Sequence, residues 1–213
     1  MFPFVCKAYT VDQYGDLTTY LKTLEYNHLF VPKFIVVHNT APPTLKDYAN
    51  WQKPTPKHGP VSDEQWAHNL EGFYKKKWSG GPHFAATPKG CVVLNPPNYA
   101  GVHTPSWNKI SWGVETVGDF ETDEFGPPIS VALVKLLAIL HEVAGLTPKP
   151  YTLGTRGLHF HKEDKATTHK TCPGSNMVKS SLVAGVVQEM PKQDPWSLAW
   201  RTSAWRKPWR EGS

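Results

Sequence analysis

Short, wholly apolar runs closed by proline or asparagine recur along this chain between stretches of helical spacing, and that alternation admits few folds. Phe34-Ile35-Val36-Val37 is apolar and largely β-branched, ends at His38, and is followed by Asn39-Thr40-Ala41-Pro42-Pro43, which must leave a sheet. Cys91-Val92-Val93-Leu94, closed by Asn95-Pro96-Pro97, reads as a strand, as do Trp112 to Val117 and the brief Leu158 to His161. Ser62 with Gln65 three residues on forms a capping-box pattern, and Trp66, Leu70, Phe73 and Lys77 follow at helical spacing, so an amphipathic helix is expected to end near Lys77. Pro127-Pro128-Ile129-Ser130 precedes a second helix, Val131 to Leu146, whose only weakly apolar face is Lys135, Ala138, Glu142 and Gly145, and which should be largely buried. Ser175 is expected to cap a last helix through Met190, halted by Pro191. Strands alternating with helices predict one α/β domain with a mixed central β-sheet flanked by helices on both sides.

With 213 residues, 39% of them hydrophobic, the chain fills one core rather than two. The expected division is an N-terminal extension packed on the domain (1–30), the domain itself (31–190) and a tail (191–213). In the tail, Trp196, Trp200, Trp205 and Trp209 stand among Arg201, Arg206, Lys207 and Arg210. Such a tail either drapes over the domain or anchors at a membrane surface or an anionic polymer. A formal charge of +5 favours an anionic partner without choosing among nucleic acid, acidic lipid and cell-wall polymer. The domain has no aromatic-basic motif of the kind that reads nucleic acid, so no nucleic-acid partner is expected.

Cys6, Cys91 and Cys172 form no paired framework. Cys6 and Cys91 read as small buried residues. Met1 to Lys7 lacks the pattern of a classical secretion signal, and the longest apolar stretch, Val131 to Leu140, is interrupted by Lys135 and falls short of the roughly 18 residues that span a bilayer. The expectation is a soluble protein made in a cytoplasm.

The chain has ten histidines, and the densest chemistry lies between Leu158 and Gly174, where His159, His161, His169, Lys170 and Cys172 share one loop region. Ligands for a catalytic zinc are neutral imidazoles or thiolates brought into one tetrahedron with a position left open. His38, at the end of a buried strand, either serves there or is a hydrogen-bonded core histidine. His159 and His161 would point to the same face of a strand, about 6.5–7 Å apart, so both can line one pocket. Cys172 before Pro173-Gly174 is either a thiolate ligand or loop punctuation.

These residues carry a family resemblance. His38-Asn39-Thr40, Gly81-Pro82-His83-Phe84, Gly101-Val102-His103 with Trp107-Asn108, Ser111-Trp112-Gly113-Val114-Glu115, and His161 with Lys170-Thr171-Cys172-Pro173-Gly174 stand in the order found in N-acetylmuramoyl-L-alanine amidases of the type shared by phage endolysins and peptidoglycan recognition proteins. The resemblance spans Phe34 to Met190. It implies a peptidoglycan recognition protein-like fold, a Zn²⁺ ion held by His38, His161 and Cys172, with His159 the rival for the second place, and peptidoglycan as partner. The implied activity is hydrolysis of the bond between N-acetylmuramic acid and L-alanine. It gives Glu115 the role of general base and then acid, and Lys170 that of oxyanion stabiliser.

His103, Trp107, Asn108 and Trp78 are expected along the substrate cleft, and His83 and His169 behind the ligands or simply packed. Some family members place a tyrosine just before the residue matching His83; here that position is Pro82. The implied role is a lytic phage or prophage endolysin, made without a signal peptide and acting on the wall after release. The alternatives are a peptidoglycan-binding protein without turnover and a cytoplasmic enzyme recycling wall fragments.

Overall fold

The computed structural model describes residues 5–24, 30–56, 59–149 and 157–190. Among them, the six strands are β1 (Lys7–Thr10), β2 (Phe34–Asn39), β3 (Phe84–Thr87), β4 (Gly90–Val93), β5 (Ser111–Thr116) and β6 (Leu158–Phe160), and the helices are α1 (Tyr14–Thr23), α2 (Leu45–Trp51), α3 (Asp63–Lys77), α4 (Ile129–Ala144) and α5 (Lys179–Glu189). The sheet order is β1-β4-β3-β5-β2-β6, antiparallel through the first three and parallel from β3 to β6. The mixed, helix-covered α/β domain expected from the sequence is therefore present.

Alternation along the strands sorts the two faces. Ile35 and Val37, Phe84 and Ala86, Cys91 and Val93, and Trp112 and Val114 form one core with Leu133, Leu136, Leu137 and Leu140 of α4, Leu17 and Leu21 of α1, and Leu182 and Val186 of α5. Ala85, Val92, Leu94 and Val117 face a smaller cluster with Tyr48 of α2 and Trp66, Ala67 and Tyr74 of α3. The start of α3 is pinned there. Ser62 Oγ accepts from the Gln65 amide, and the buried Asp63 carboxylate accepts from the hydroxyls of Tyr48 at 2.6 Å and Thr87 at 2.6 Å.

Two local expectations need correction. The core face of α3 is Trp66, Ala67 and Tyr74, whereas Phe73 is 47% exposed. The last helix starts at Lys179 rather than near Ser175, whose hydroxyl instead donates to Glu121. Residues 7–23, within the N-terminal extension expected to pack on the domain, supply edge strand β1 and helix α1, with β1 paired to β4. No helix among the described residues is long and apolar enough to cross a membrane. The tryptophan- and arginine-rich segment 191–213 lies outside the described residues.

Candidate metal centre

The cleft face of the parallel half of the sheet carries the site. His38 and Glu115 are register partners on adjacent parallel strands, so the pleat delivers both side chains to the same face at the same height. Strand β6 pairs Phe160 with Val37, and His161, the next residue, opens a short 3₁₀ turn that sets its ring 4.4 Å from that of His38. Cys172 returns to this point because its carbonyl accepts from the Lys162 amide at 3.0 Å. The ligand atoms of His38, His161 and Cys172 all lie within 4.8 Å of one another.

The hydrogen bonds decide which ring nitrogens face inward. His38 Nε2 lies 3.1 Å from His103 Nδ1, and His103 Nε2 lies 3.3 Å from the Ser111 carbonyl oxygen. His161 Nε2 lies 2.8 Å from Thr167 Oγ1. Both rings thus use Nε2 for support, which leaves Nδ1 of each for a metal. Gly113 is what lets the His103 ring reach its place: a Cβ there would lie 2.5 Å from His103 Cγ.

Burial, with the neighbouring His161, His103 and His169 rings, holds His38 well below the ordinary imidazole range, and burial, with His169, takes His161 down to about 4. Both are therefore neutral near pH 7, as ligands must be. Burial and the Glu115 charge push the Cys172 thiol up to about 12, although the Asn39 amide donates to its sulfur. A bound cation would reverse that shift by displacing the proton. A tetrahedron with Zn–N of about 2.0–2.1 Å and Zn–S of about 2.3 Å has edges near 3.5 Å, so this donor set fits zinc in both softness and spacing.

Glu115 is 7% exposed, and burial pushes its carboxyl up to about 7 even though the Tyr74 hydroxyl donates to its Oε2 at 2.8 Å. Among the described residues it pairs with no surface lysine. No hydroxyl comes from the Pro82 position; the one that reaches Glu115 comes from α3. Tyr74 and Thr167 were not singled out in the sequence, because a tyrosine in a helix and a threonine in a loop carry no local sign of the partner they meet.

The remaining expected residues divide. Trp78 and Asn108 line a cleft of about 1090 Å³ around the three ligands, as do His103 and His169. Asn108 Oδ1 also accepts from the amides of His103 and Thr104, holding the loop behind His38. Trp107 is not on the cleft; it packs edge-on against Phe34 and His159. His159 stands outside the ligand cluster, with Nδ1 3.3 Å from Glu163 Oε2. Lys170 is exposed, and its Nζ donates to the Lys165 carbonyl. His83 is structural: its Nε2 donates to the Tyr99 carbonyl and its Nδ1 accepts from the Gly113 amide.

Two histidines outside the ligand set make the metal-free protein acid-sensitive. Burial holds His83 and His141 at about 4, below the 6.5 of an unfolded chain. The unfolded state therefore binds more protons between pH 6.5 and 4, and the stability these groups contribute is complete above 6.5 and drains away as pH falls. Each accounts for about 3 kcal/mol by pH 4. Urea midpoints measured from pH 7.5 to 4.5 are expected to fall steeply, and His141→Gln to flatten the slope.

The sequence profile of a family described as N-acetylmuramoyl-L-alanine amidase matches residues 29–175. No curated protein matches the chain. Among solved structures, the N-acetylmuramoyl-L-alanine amidase LysC from Clostridium intestinale URNW is 23% identical, with 78% of this chain and 91% of that one covered and a TM-score of 0.55. The endolysine N-acetylmuramoyl-L-alanine amidase LysCS from the same organism is 23% identical over 78% and 90%, with a TM-score of 0.54. Drosophila PGRP-LB is 19% identical over 82% and 91%, with a TM-score of 0.50. These likenesses establish the shared fold.

Proposed function

The chain belongs to the N-acetylmuramoyl-L-alanine amidase family, and from that premise we propose that it is a zinc-dependent hydrolase of the amide bond between N-acetylmuramic acid and L-alanine in peptidoglycan. The observation that carries this reading is the convergence of His38, His161 and Cys172 beside the buried Glu115 in one open cleft. A binding protein without turnover needs the cleft but has no use for a buried carboxylate set beside three ligands.

When bound, zinc supplies a Lewis acid that polarises a carbonyl and lowers the pKa of a coordinated water to about 7. Glu115 takes the proton of the attacking water and returns it to the departing L-alanine amine, work suited to a carboxyl poised near neutral pH. His103 and Thr167 hold the two ligand rings in register through Nε2. Along one wall, Trp51, Phe73 and Trp78 present exposed rings to the cleft, a surface on which sugar or peptide can stack. Trp51→Ala is expected to raise KM about tenfold with kcat unchanged, since about 1–1.5 kcal/mol of aromatic contact is uniform binding energy; steady-state hydrolysis of soluble muropeptides checks it.

The proposed setting is lysis by a phage or prophage endolysin, supported by the charge of +5 and the Trp/Arg-rich segment 191–213, which would add contact with membrane or anionic polymer. It would be made in the bacterial cytoplasm and reach the wall after release. The test is release of soluble material from purified peptidoglycan by zinc-loaded protein, with a chelated sample alongside. Release that stops on chelation supports the reading, while protein bound to an undiminished wall would replace catalysis by recognition.

A further inference from the structure

A glutamate that takes a proton from water must hold its carboxylate in one orientation, and Glu115 has little in its own bonding to do so. Its terminal torsion is broad and roughly two-fold, unlike the staggered torsions before it. Among the described residues the Tyr74 hydroxyl, donating to Oε2 at 2.8 Å, is the one hydrogen bond to this carboxylate. That bond leaves Oε1 as the oxygen able to meet a water in the cleft.

Tyr74 is itself firmly seated. It is 6% exposed, and its ring forms a three-membered cluster with the Phe73 and Trp78 rings, each 5.8 Å away. The backbone of Gly81 also comes so close to the ring that a Cβ there would lie 2.6 Å from Tyr74 Cδ2. The helix carrying it is anchored at its start by Asp63. The hydroxyl therefore reaches Glu115 from a packed ring on α3.

We propose that Tyr74 is the positioning residue of this site: its hydroxyl fixes the Glu115 carboxylate so that Oε1 faces the attacking water. This rests on the amidase reading above. A hydrogen bond that merely satisfied a buried group would affect stability, whereas a positioning bond affects the chemical step and acts only through Glu115.

Tyr74→Phe keeps the ring and removes the hydroxyl. Expected are a kcat lowered about 10- to 100-fold with KM and zinc content unchanged, and no further loss when the same change is made in Glu115→Gln. Gly81→Ala, which displaces the ring without removing the hydroxyl, should lower kcat in the same direction. A readout independent of turnover is a crystal structure of the metal-free Tyr74→Phe protein, in which the Glu115 carboxylate is expected to leave its wild-type orientation. An unchanged kcat, an equal loss in the Glu115→Gln background, or a carboxylate that keeps its place would each overturn the proposal. A wild-type protein that releases nothing from peptidoglycan would instead remove the amidase reading on which it stands.

Discussion

Glu115→Gln is expected to lower kcat for peptidoglycan hydrolysis by about 10²–10⁴-fold, the usual worth of a positioned general base, while zinc content and wall binding stay as in the wild type. The substitution keeps the size of the side chain and an oxygen for the Tyr74 hydroxyl, so the cleft and the ligand cluster persist. A second effect has the opposite sign. Burial raises the folded-state pKa of Glu115 to about 7, above the 4.5 of an unfolded chain, so the folded state binds more protons between those values. Whatever this group contributes is present below pH 4.5 and is lost as pH rises through 7. Without metal, the charged carboxylate therefore costs the fold about 3 kcal/mol above pH 7. Glutamine removes that cost, and the metal-free variant should melt higher than wild type at pH 8. A group whose removal abolishes turnover and raises stability is kept for its chemistry. Thermal melts of both proteins at pH 8, with activity measured on the same preparations, check the pair of effects.

Cys172→Ser is expected to remove both metal and activity. Structural zinc sites bind with about 10–16 kcal/mol at pH 7, and an equal share for the thiolate among three protein ligands is about 4 kcal/mol, or roughly 10³-fold in affinity. Serine is a poor replacement because its hydroxyl stays protonated and hard where a thiolate is soft. On the proposed reading zinc binds the folded chain alone, which would stabilise it by about 4 kcal/mol at a thousandfold excess over Kd. Chelation should therefore lower the melting temperature of the wild type and leave that of Cys172→Ser unmoved. Metal content by mass spectrometry after dialysis, together with melting temperatures with and without chelator, checks it. Zinc retained at one ion per chain in the variant would mean that Cys172 is not a ligand.

The elements legible in the sequence were those whose burial is uniform or whose ends are marked. Strand β2 is buried through His38 and stops at a proline-bearing turn; α4 is apolar on most sides; α3 begins at a true serine cap. Strand β1 escaped notice because it is an edge strand with one buried side chain, Tyr9, so no alternation shows. Strand β3 reads Phe-Ala-Ala-Thr, and alanine does not mark a strand although all four residues are buried.

The site divides along the same line. His38, His161, Cys172 and Glu115 sit at strand ends or within motifs with fixed spacing, and the sequence pointed to each. Tyr74 acts across the fold on a partner 41 residues away, and Thr167 acts on one six residues away through a loop whose path the sequence does not mark. Trp107 was expected along the cleft beside Asn108, and neighbourhood in sequence did not determine its direction: its ring packs on Phe34.

The most direct test of the account is the mass of what the protein releases. Zinc-loaded protein incubated with purified, intact peptidoglycan is predicted to yield stem peptides with a free L-alanine amino terminus and glycan stripped of peptide, and a chelated sample to yield neither. Products cut within the stem peptide, or the same products in the presence of chelator, would contradict it.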